Sequence, residues 1–366
     1  MAKKKTETIE KSSEKSRLNT VGGQAVIEGV MMKYENNIAI TVRRESGELV
    51  NKKREFKSIK SKSKIFNIPI LRGVINFIDM LILAMSTLNE SMEMLGLDEQ
   101  ITNKAKDIAG LSDEELSNLT KSDSSEKNPE KKNTSWIMIA SVLGVVLGLG
   151  FSFVLFFFLP TFVGKQITKI IDIGWFLNLF EGVMRLTIFV IYIFLVSFMK
   201  DIKRTFQYHG AEHMSVFCYE KGDELTVENV KKYPRFHPRC GTSFMIVMMI
   251  VGVAISSVIP LSFGVWLRLA VKLSLFPFVI GLGYEFIKFA GKHDNKFVRI
   301  LSAPGLAVQR LSTKQPDDSQ IEVAIESLKL AVESENQENL EKVPADEDKE
   351  EKTEDINDEK LSLHQR

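Results

Sequence analysis

"WIMIASVLGVVLGLGFSFVLFFFLP", Trp136 to Pro160, contains no charged residue. A helix needs roughly 20 consecutive apolar residues to cross the hydrocarbon core of a bilayer. This run meets that requirement and predicts a membrane span. Three further runs approach it: "WFLNLFEGVMRLTIFVIYIFLVSFM" (Trp175–Met199), "SFMIVMMIVGVAISSVIPLSFGVW" (Ser243–Trp266) and "LRLAVKLSLFPFVIGLGYEFIKFA" (Leu267–Ala290). A soluble helical core rarely carries four such runs. The expected fold class is therefore mostly α: a polytopic membrane protein with about four transmembrane helices between residues 136 and 290.

Lysine and arginine in the connecting segments orient the spans, because basic loops stay on the cytoplasmic side. The segment before Trp136 is lysine-rich, and the loop at 200–242 holds Lys200, Lys203, Arg204, Lys221, Lys231, Lys232, Arg235 and Arg239. Lys292, Lys296, Arg299 and Arg310 follow the last run, whereas the first two runs are joined by a loop with only Lys165 and Lys169. This alternation predicts a cell-membrane protein with both termini in the cytoplasm. The formal net charge is +1, which gives no global field for nucleic acid. The start, "MAKKKTETIEKSSEKSRLNT", lacks the apolar core of a signal peptide.

Outside the spans, residues 20–57 read as a small β-meander. "QAVIEGVMM", "NIAITVRR" and "ELVNKKREF" form three strand-like stretches, separated by the turn-forming "YENN" and "ESG". The three glycines around Glu28 read as turn residues, with close backbone approach to a ligand as the alternative. "IPILRGVINFIDMLILAMSTLNESMEML" (Ile68–Leu95) is apolar but carries Arg72, Asn76 and Asp79. Leu71, Val74, Ile75, Ile78, Ile82 and Met85 fall on one helical stripe. A fifth crossing would put the basic N-terminus outside. Residues 65–97 are thus expected to form an interfacial or re-entrant helix, or else a buried helix of the cytoplasmic part. Residues 98–135 read as a polar linker with one capping signal, Ser112 to Glu115. Residues 291–332 read as a cytoplasmic segment with a turn at Pro304–Gly305 and an amphipathic helix from Ser319 to Val332. Residues 1–19 and 333–366 have the composition of disordered tails, basic and acidic respectively.

The chemistry concentrates in the 200–242 loop. "QYHGAEHMSVFCYE" contains His209, Glu212 and His213 in the pattern H-x-x-E-H. On a helix, positions i and i+4 share a face, so both imidazoles can address one ion. Glu212 stands beside that face, as the general base does in inverted zinc hydrolases. Zinc needs at least one more protein ligand, and "RFHPRCGTSF" offers His237 and Cys240. Three readings stay open. One is a catalytic zinc-type divalent metal site. Another is a closed structural site using His209, His213, His237 and Cys240. The third has no metal, with the histidines packed or hydrogen-bonded. Cys218 reads as a buried thiol, and two cysteines make no disulfide framework. Gly210 costs its helix roughly 1 kcal/mol.

Charges also interrupt the spans. Glu181 and Arg185 are spaced i, i+4 and are expected to pair. Arg268 and Lys272 open the last span and are expected to snorkel. Glu285 and Lys288 close it. Glu285, His293 and Asp294 are secondary candidates as ligand or acid, with an interfacial anchor the plainer role for Glu285.

"GGQAVIEGVMM", "YHGAEHMSVFCYE", "ELTVENVKKYPRFHPRCGTSF" and "APGLAVQRLSTKQPDDSQIEVAIESLK" resemble the YqhQ-like family of bacterial membrane proteins, a family of unknown function. The resemblance spans about residues 20–97 and 136–332. It implies a metal-dependent membrane enzyme with no established substrate. The motif positions that carry over are His209, Glu212, His213, His237 and Cys240, with Gln24 and Glu28. Met214 stands where a common family pattern has lysine. The expected function is a metal-dependent hydrolase at the cytoplasmic face of the bilayer, acting on a membrane peptide, a lipid or a small molecule. The alternatives are a membrane adaptor with a structural metal or none, and, behind it, a transporter.

Overall fold

The computed structural model describes residue 17 and residues 20–97, 143–171, 174, 176–237, 240–260, 262–290 and 296–341. The linker at 98–135, its capping signal at Ser112, His293, Asp294 and the chain after residue 341 lie outside the described residues, as does the basic tail apart from Arg17.

Four strands form one antiparallel meander in chain order: β1 (Val21–Val26), β2 (Gly29–Tyr34), β3 (Asn37–Arg43) and β4 (Leu49–Glu55). The sequence pattern suggested three. The first stretch splits at a two-residue turn, Ile27–Glu28, which sets Val26 opposite Gly29. Glu28 has a positive φ of 49°, unusual for glutamate. Tertiary contacts hold it there: its carboxylate accepts two hydrogen bonds from the Arg204 guanidinium, and the Tyr208 hydroxyl approaches at 3.4 Å. Glu28 is thus part of the frame.

Both faces of the sheet are covered, which explains the near-continuous apolar runs of β2 and β3. Val30, Met32 and Ala39 meet helices α4 (Lys200–Lys221) and α9 (Asp318–Glu341). Met31, Ile38, Ile40 and Val42 meet Leu83 and Met94 of α1 (Leu71–Leu95). Fully buried side chains such as Met32, Ile321 and Leu328 contribute about 1.5–3 kcal/mol each. A reciprocal cap begins α9: the Gln320 N–H donates to the Asp317 side chain, and the Asp317 N–H donates to the Gln320 side chain. At the end of α4, Gly222 adopts φ 82° and its N–H returns to the carbonyls of Cys218 and Tyr219.

Four helices are long and apolar enough to cross a membrane: α1, α2 (Leu143–Ile167), α3 (Phe176–Val196) and α7 (Val265–Ala290). The number of long apolar helices matches the four spans read from the sequence, but the membership differs, and a crossing by α1 would separate the sheet from α4, with which it shares a core. The expected third span contains only a 16-residue apolar helix, α6 (Gly241–Ser256), before a turn at Ser257–Ile259. At 1.5 Å per residue that is about 24 Å, short of the roughly 30 Å hydrocarbon core. α1 joins the set by length and composition, and its packing is inverted. Its buried positions include Asp79, Thr87 and Ser91, while Ile78, Leu81, Ile82 and Met85 are exposed. Asp79 accepts hydrogen bonds from the Ser58 hydroxyl and the Ile59 N–H. Apolar residues outward and polar residues inward suit a helix that touches lipid on one side and the β-sheet on the other.

Two of the expected roles for span charges are overturned. Glu181 does not pair with Arg185; it accepts from Arg268 at 3.1 Å and from Lys272. Arg268 and Lys272 do not snorkel, for both are buried; Asn178 also accepts from Arg268 and Thr161 from Lys272, while Arg268 Nε has no hydrogen-bond partner among the described residues. Arg185 instead donates from Nε to the Phe156 carbonyl at 2.8 Å. That carbonyl stands four residues before Pro160, which has no N–H to offer it, and the local turn is π-helical. The expected turn at Pro304–Gly305 is also absent: α8 (Lys296–Ser312) runs through it. Gly305 is there because a Cβ would lie 2.9 Å from Ser243, where α8 presses on α6.

Removing the charge of Glu181 would strand two buried cations. Glu181→Gln is expected to cost about 3–5 kcal/mol. Thermal unfolding of the detergent-purified protein checks this, with Glu181→Asp as the charge-retaining control.

Candidate metal centre

The loop at 200–242 is largely helical, with α4 followed by the one-turn α5 (Val227–Val230). α4 carries Tyr208, Ala211, Met214 and Cys218 into the core shared with the sheet and α9. That orientation turns His209 and His213 the other way, toward Cys240 at the N-cap of α6. Gly210, unfavourable for a helix, has a steric purpose. A Cβ there would lie 2.3 Å from the Lys314 carbonyl, in the segment between α8 and α9. The same segment returns a hydrogen bond from the Lys314 N–H to the Phe206 carbonyl at 2.8 Å.

Each imidazole is oriented by its Nδ1. His209 Nδ1 lies 2.9 Å from the carbonyl of Ser312, and His213 Nδ1 lies 2.6 Å from the carbonyl of Arg235. A carbonyl can only accept, so both Nδ1 atoms carry the proton. Ser312 ends α8, where carbonyls have no partner within the helix. In the neutral rings both Nε2 lone pairs are then free to bind a cation. This is the outer arrangement that metal-binding histidines use.

The three candidate donor atoms of His209, His213 and Cys240 lie within 4.8 Å of one another. His209 Nε2 is 3.2 Å from Cys240 Sγ. A tetrahedral zinc site with the usual bond lengths has donor–donor edges of roughly 3.3–3.6 Å. Two imidazoles and one thiol are donor types that suit zinc, and a separation of up to 4.8 Å would have to contract to reach those edges. The Glu212 carboxylate stands over both rings, its Oε2 3.8 Å from His209 Nε2 and 3.7 Å from His213 Nε2.

His237 does not join these three donors. Its Nε2 lies 3.8 Å from Glu220 Oε2, and its ring packs against Phe217 and His213, with centroids 4.6 and 5.5 Å away. It forms a second buried layer beside the first. Gln309 holds it in place, a residue the sequence did not single out. The Gln309 side chain accepts from the His237 N–H at 2.8 Å and donates to the His237 carbonyl at 2.7 Å, with Ser243 Oγ 2.9 Å from the same amide nitrogen. Only its burial in the structure singles Gln309 out, and burial is not written in the local sequence.

Gly23 closes the site from the sheet side. It lies within β1, where a Cβ would come 2.6 Å from Glu212 Cγ. Sequence reading favoured a turn role for these glycines, whereas Gly23 makes the close approach, and its neighbour is a side chain of the same protein. Gln24 lies in β1 opposite Met31. Glu285 pairs with Arg72 of α1 and ties that helix to α7. Cys218 is buried as expected, and burial pushes its thiol up to about 11.

A family model described as "Protein of unknown function (DUF1385)" matches residues 68–334. This chain belongs to that family. Among curated proteins, "Uncharacterized protein YqhQ" of Bacillus subtilis (strain 168) is 34% identical over 308 residues, covering 84% of this chain and 90% of the relative. No solved structure matches the chain. The DUF1385 match includes all three donors, Glu212, His237 and Gln309, but begins after the sheet that supplies Gly23.

Burial raises the Glu212 carboxyl to about 7, opposed only in part by His209. An acid raised in this way destabilises the folded state when it ionises. Below pH about 4.5 the carboxyl is neutral in both states. Stability is then lost as pH rises from there through about 7, in total about 3 kcal/mol. Metal-stripped wild type is expected to show this loss relative to Glu212→Gln, read from apparent Tm at a series of pH values. Gly23→Val is expected to displace the carboxylate while circular dichroism stays helical, leaving Tm with the same weakened pH dependence as Glu212→Gln.

Proposed function

We propose that this chain is a zinc-type metal-dependent hydrolase embedded in the cell membrane. Its site faces the cytoplasm, and both termini lie there. The observation that carries the reading is the convergence of His209 Nε2, His213 Nε2 and Cys240 Sγ beside a buried carboxylate. These three residues would hold the ion. Zinc in such a site supplies Lewis acidity, polarising a carbonyl or phosphoryl group for attack.

The remaining chemistry belongs to side chains of the chain itself. Glu212 Oε2 takes the proton of an attacking water and returns it to the leaving group. A carboxyl poised near neutrality suits both directions of transfer. The Ser312 and Arg235 carbonyls keep both histidines in the tautomer that leaves Nε2 unprotonated. Gly23 lets the sheet press against Glu212 and limits water behind it. The span-length apolar helices of the chain favour a substrate drawn from the bilayer, a membrane peptide or a lipid.

The second reading is a membrane adaptor in which a metal only staples α4 to α6. Its support is that Glu212 Oε2 lies within 4 Å of both Nε2 atoms, near enough to serve as a fourth ligand after a small movement.

Metal analysis of the purified protein separates the two readings. About one equivalent of zinc is expected in wild type, and less than a tenth of that in His213→Ala. Glu212→Gln should keep the metal yet fail to complement deletion of the gene. If Glu212→Gln loses the metal, Glu212 is a ligand and the adaptor reading takes over. Full complementation by Glu212→Gln would defeat the hydrolase.

A further inference from the structure

A second feature lies among the apolar helices, on residues that the metal centre does not use. A cavity of about 660 Å³ opens between α2, α3, α6 and α7. Its volume falls within the roughly 300–1,000 Å³ of small-molecule sites. The wall is almost wholly apolar, with Phe153, Phe157, Phe189, Met248, Met249 and Phe276 prominent. Two cationic side chains enter this wall, Arg185 and Lys272.

The local charge does not balance. Arg185, Arg268 and Lys272 are three cations, and Glu181 is the one carboxylate that pairs with any of them among the described residues. Arg268 and Lys272 share it. Arg185 has a backbone carbonyl and the face of Phe157, 5.2 Å away, but no carboxylate within ion-pair distance among the described residues. An excess of positive charge inside a span is costly unless something neutralises it. Arg185 is the tenth residue of α3, so it sits about 14 Å from the start of that helix. Lys272 is about 10 Å into α7. A diacyl lipid keeps its headgroup at the membrane surface. A single-chain amphiphile can bring a carboxylate or phosphate to this depth while its chain fills an apolar cavity.

We propose that this cavity binds a single-chain anionic lipid, with its headgroup between Arg185 and Lys272 and its acyl chain against the phenylalanine and methionine wall. The site is independent of the metal centre. The two share α6, which has Cys240 at its N-cap and Met245, Met248, Met249 and Gly252 along the cavity.

The test uses the full chain in phosphatidylcholine nanodiscs, titrated with oleate, oleoyl-lysophosphatidate and oleoyl-lysophosphatidylcholine, with binding read by native mass spectrometry. At least one anionic probe should bind at a tenfold or lower concentration than the choline probe. Preference for oleate assigns a carboxylate headgroup, and preference for lysophosphatidate assigns a phosphate. Arg185→Leu should weaken the anionic probe at least tenfold, and Arg185→Lys should restore most of it. Gly252→Leu keeps every charge and fills the cavity, where the nearest side chain to a Cβ is 3.8 Å away; it should abolish binding. Equal binding of all three probes, or no binding of any, overturns the proposal. So does wild-type affinity in Gly252→Leu. If Arg185→Leu does not fold, the headgroup comparison and Gly252→Leu still decide.

Discussion

Two backbone carbonyls organise the candidate metal centre. Ser312 ends one helix and Arg235 lies in an irregular segment, yet each accepts the Nδ1 proton of a histidine on α4. Those hydrogen bonds set ring tautomer and ring direction together, so both Nε2 atoms meet the thiol of Cys240. The carbonyls must themselves be held in place. For Ser312, Gly210 admits the Lys314 carbonyl against α4, and the Lys314 N–H bonds back to Phe206. For the segment leading to Cys240, the Gln309 amide grips both backbone groups of His237. Local bonds of this kind contribute only about 0.5–1.5 kcal/mol each, and much more is lost when one buried partner is left unmade.

The β-meander makes this arrangement possible from the opposite side. It covers the core face of α4, so that the histidine face is the one directed toward α6 and α8. It brings Gly23 against Glu212 and anchors the start of α4 through Glu28 and Arg204. Its other face receives α1, a helix with polar residues buried and apolar residues exposed. One small sheet thus couples a helix with an exposed apolar face to a site of buried ionisable groups.

A different rule governs the polar groups of the spans. These groups are buried, so Glu181, Arg268, Lys272, Asn178 and Thr161 hydrogen-bond one another, with a single carboxylate shared by two cations. Arg185 takes up the carbonyl released by Pro160. Helical spacing suggested a Glu181–Arg185 pair, which is reasonable for an exposed helix. Across a packed bundle, the partner on the facing helix lies nearer than the partner one turn away.

Much of this was legible in the residues alone. The apolar runs at 136–160 and 175–199 marked helices α2 and α3, because apolar stretches of that length suit a bilayer far better than a soluble core. Strand-forming composition and flanking turn residues marked β3 and β4. The spacing of His209, Glu212 and His213 placed three functional groups on one helix, since a period of 3.6 residues is a local property. What the sequence could not decide were choices between distant partners. Whether His237 or Cys240 would join the two histidines depended on the grip of Gln309 on His237 and on the place of Cys240 at the N-cap of α6. The length of α6, the use of α1 and the pairing of Glu181 likewise depended on which surfaces meet. Local periodicity is written in neighbouring residues, whereas convergence of donors from α4 and α6 requires the sheet, α8 and α9 to pack first.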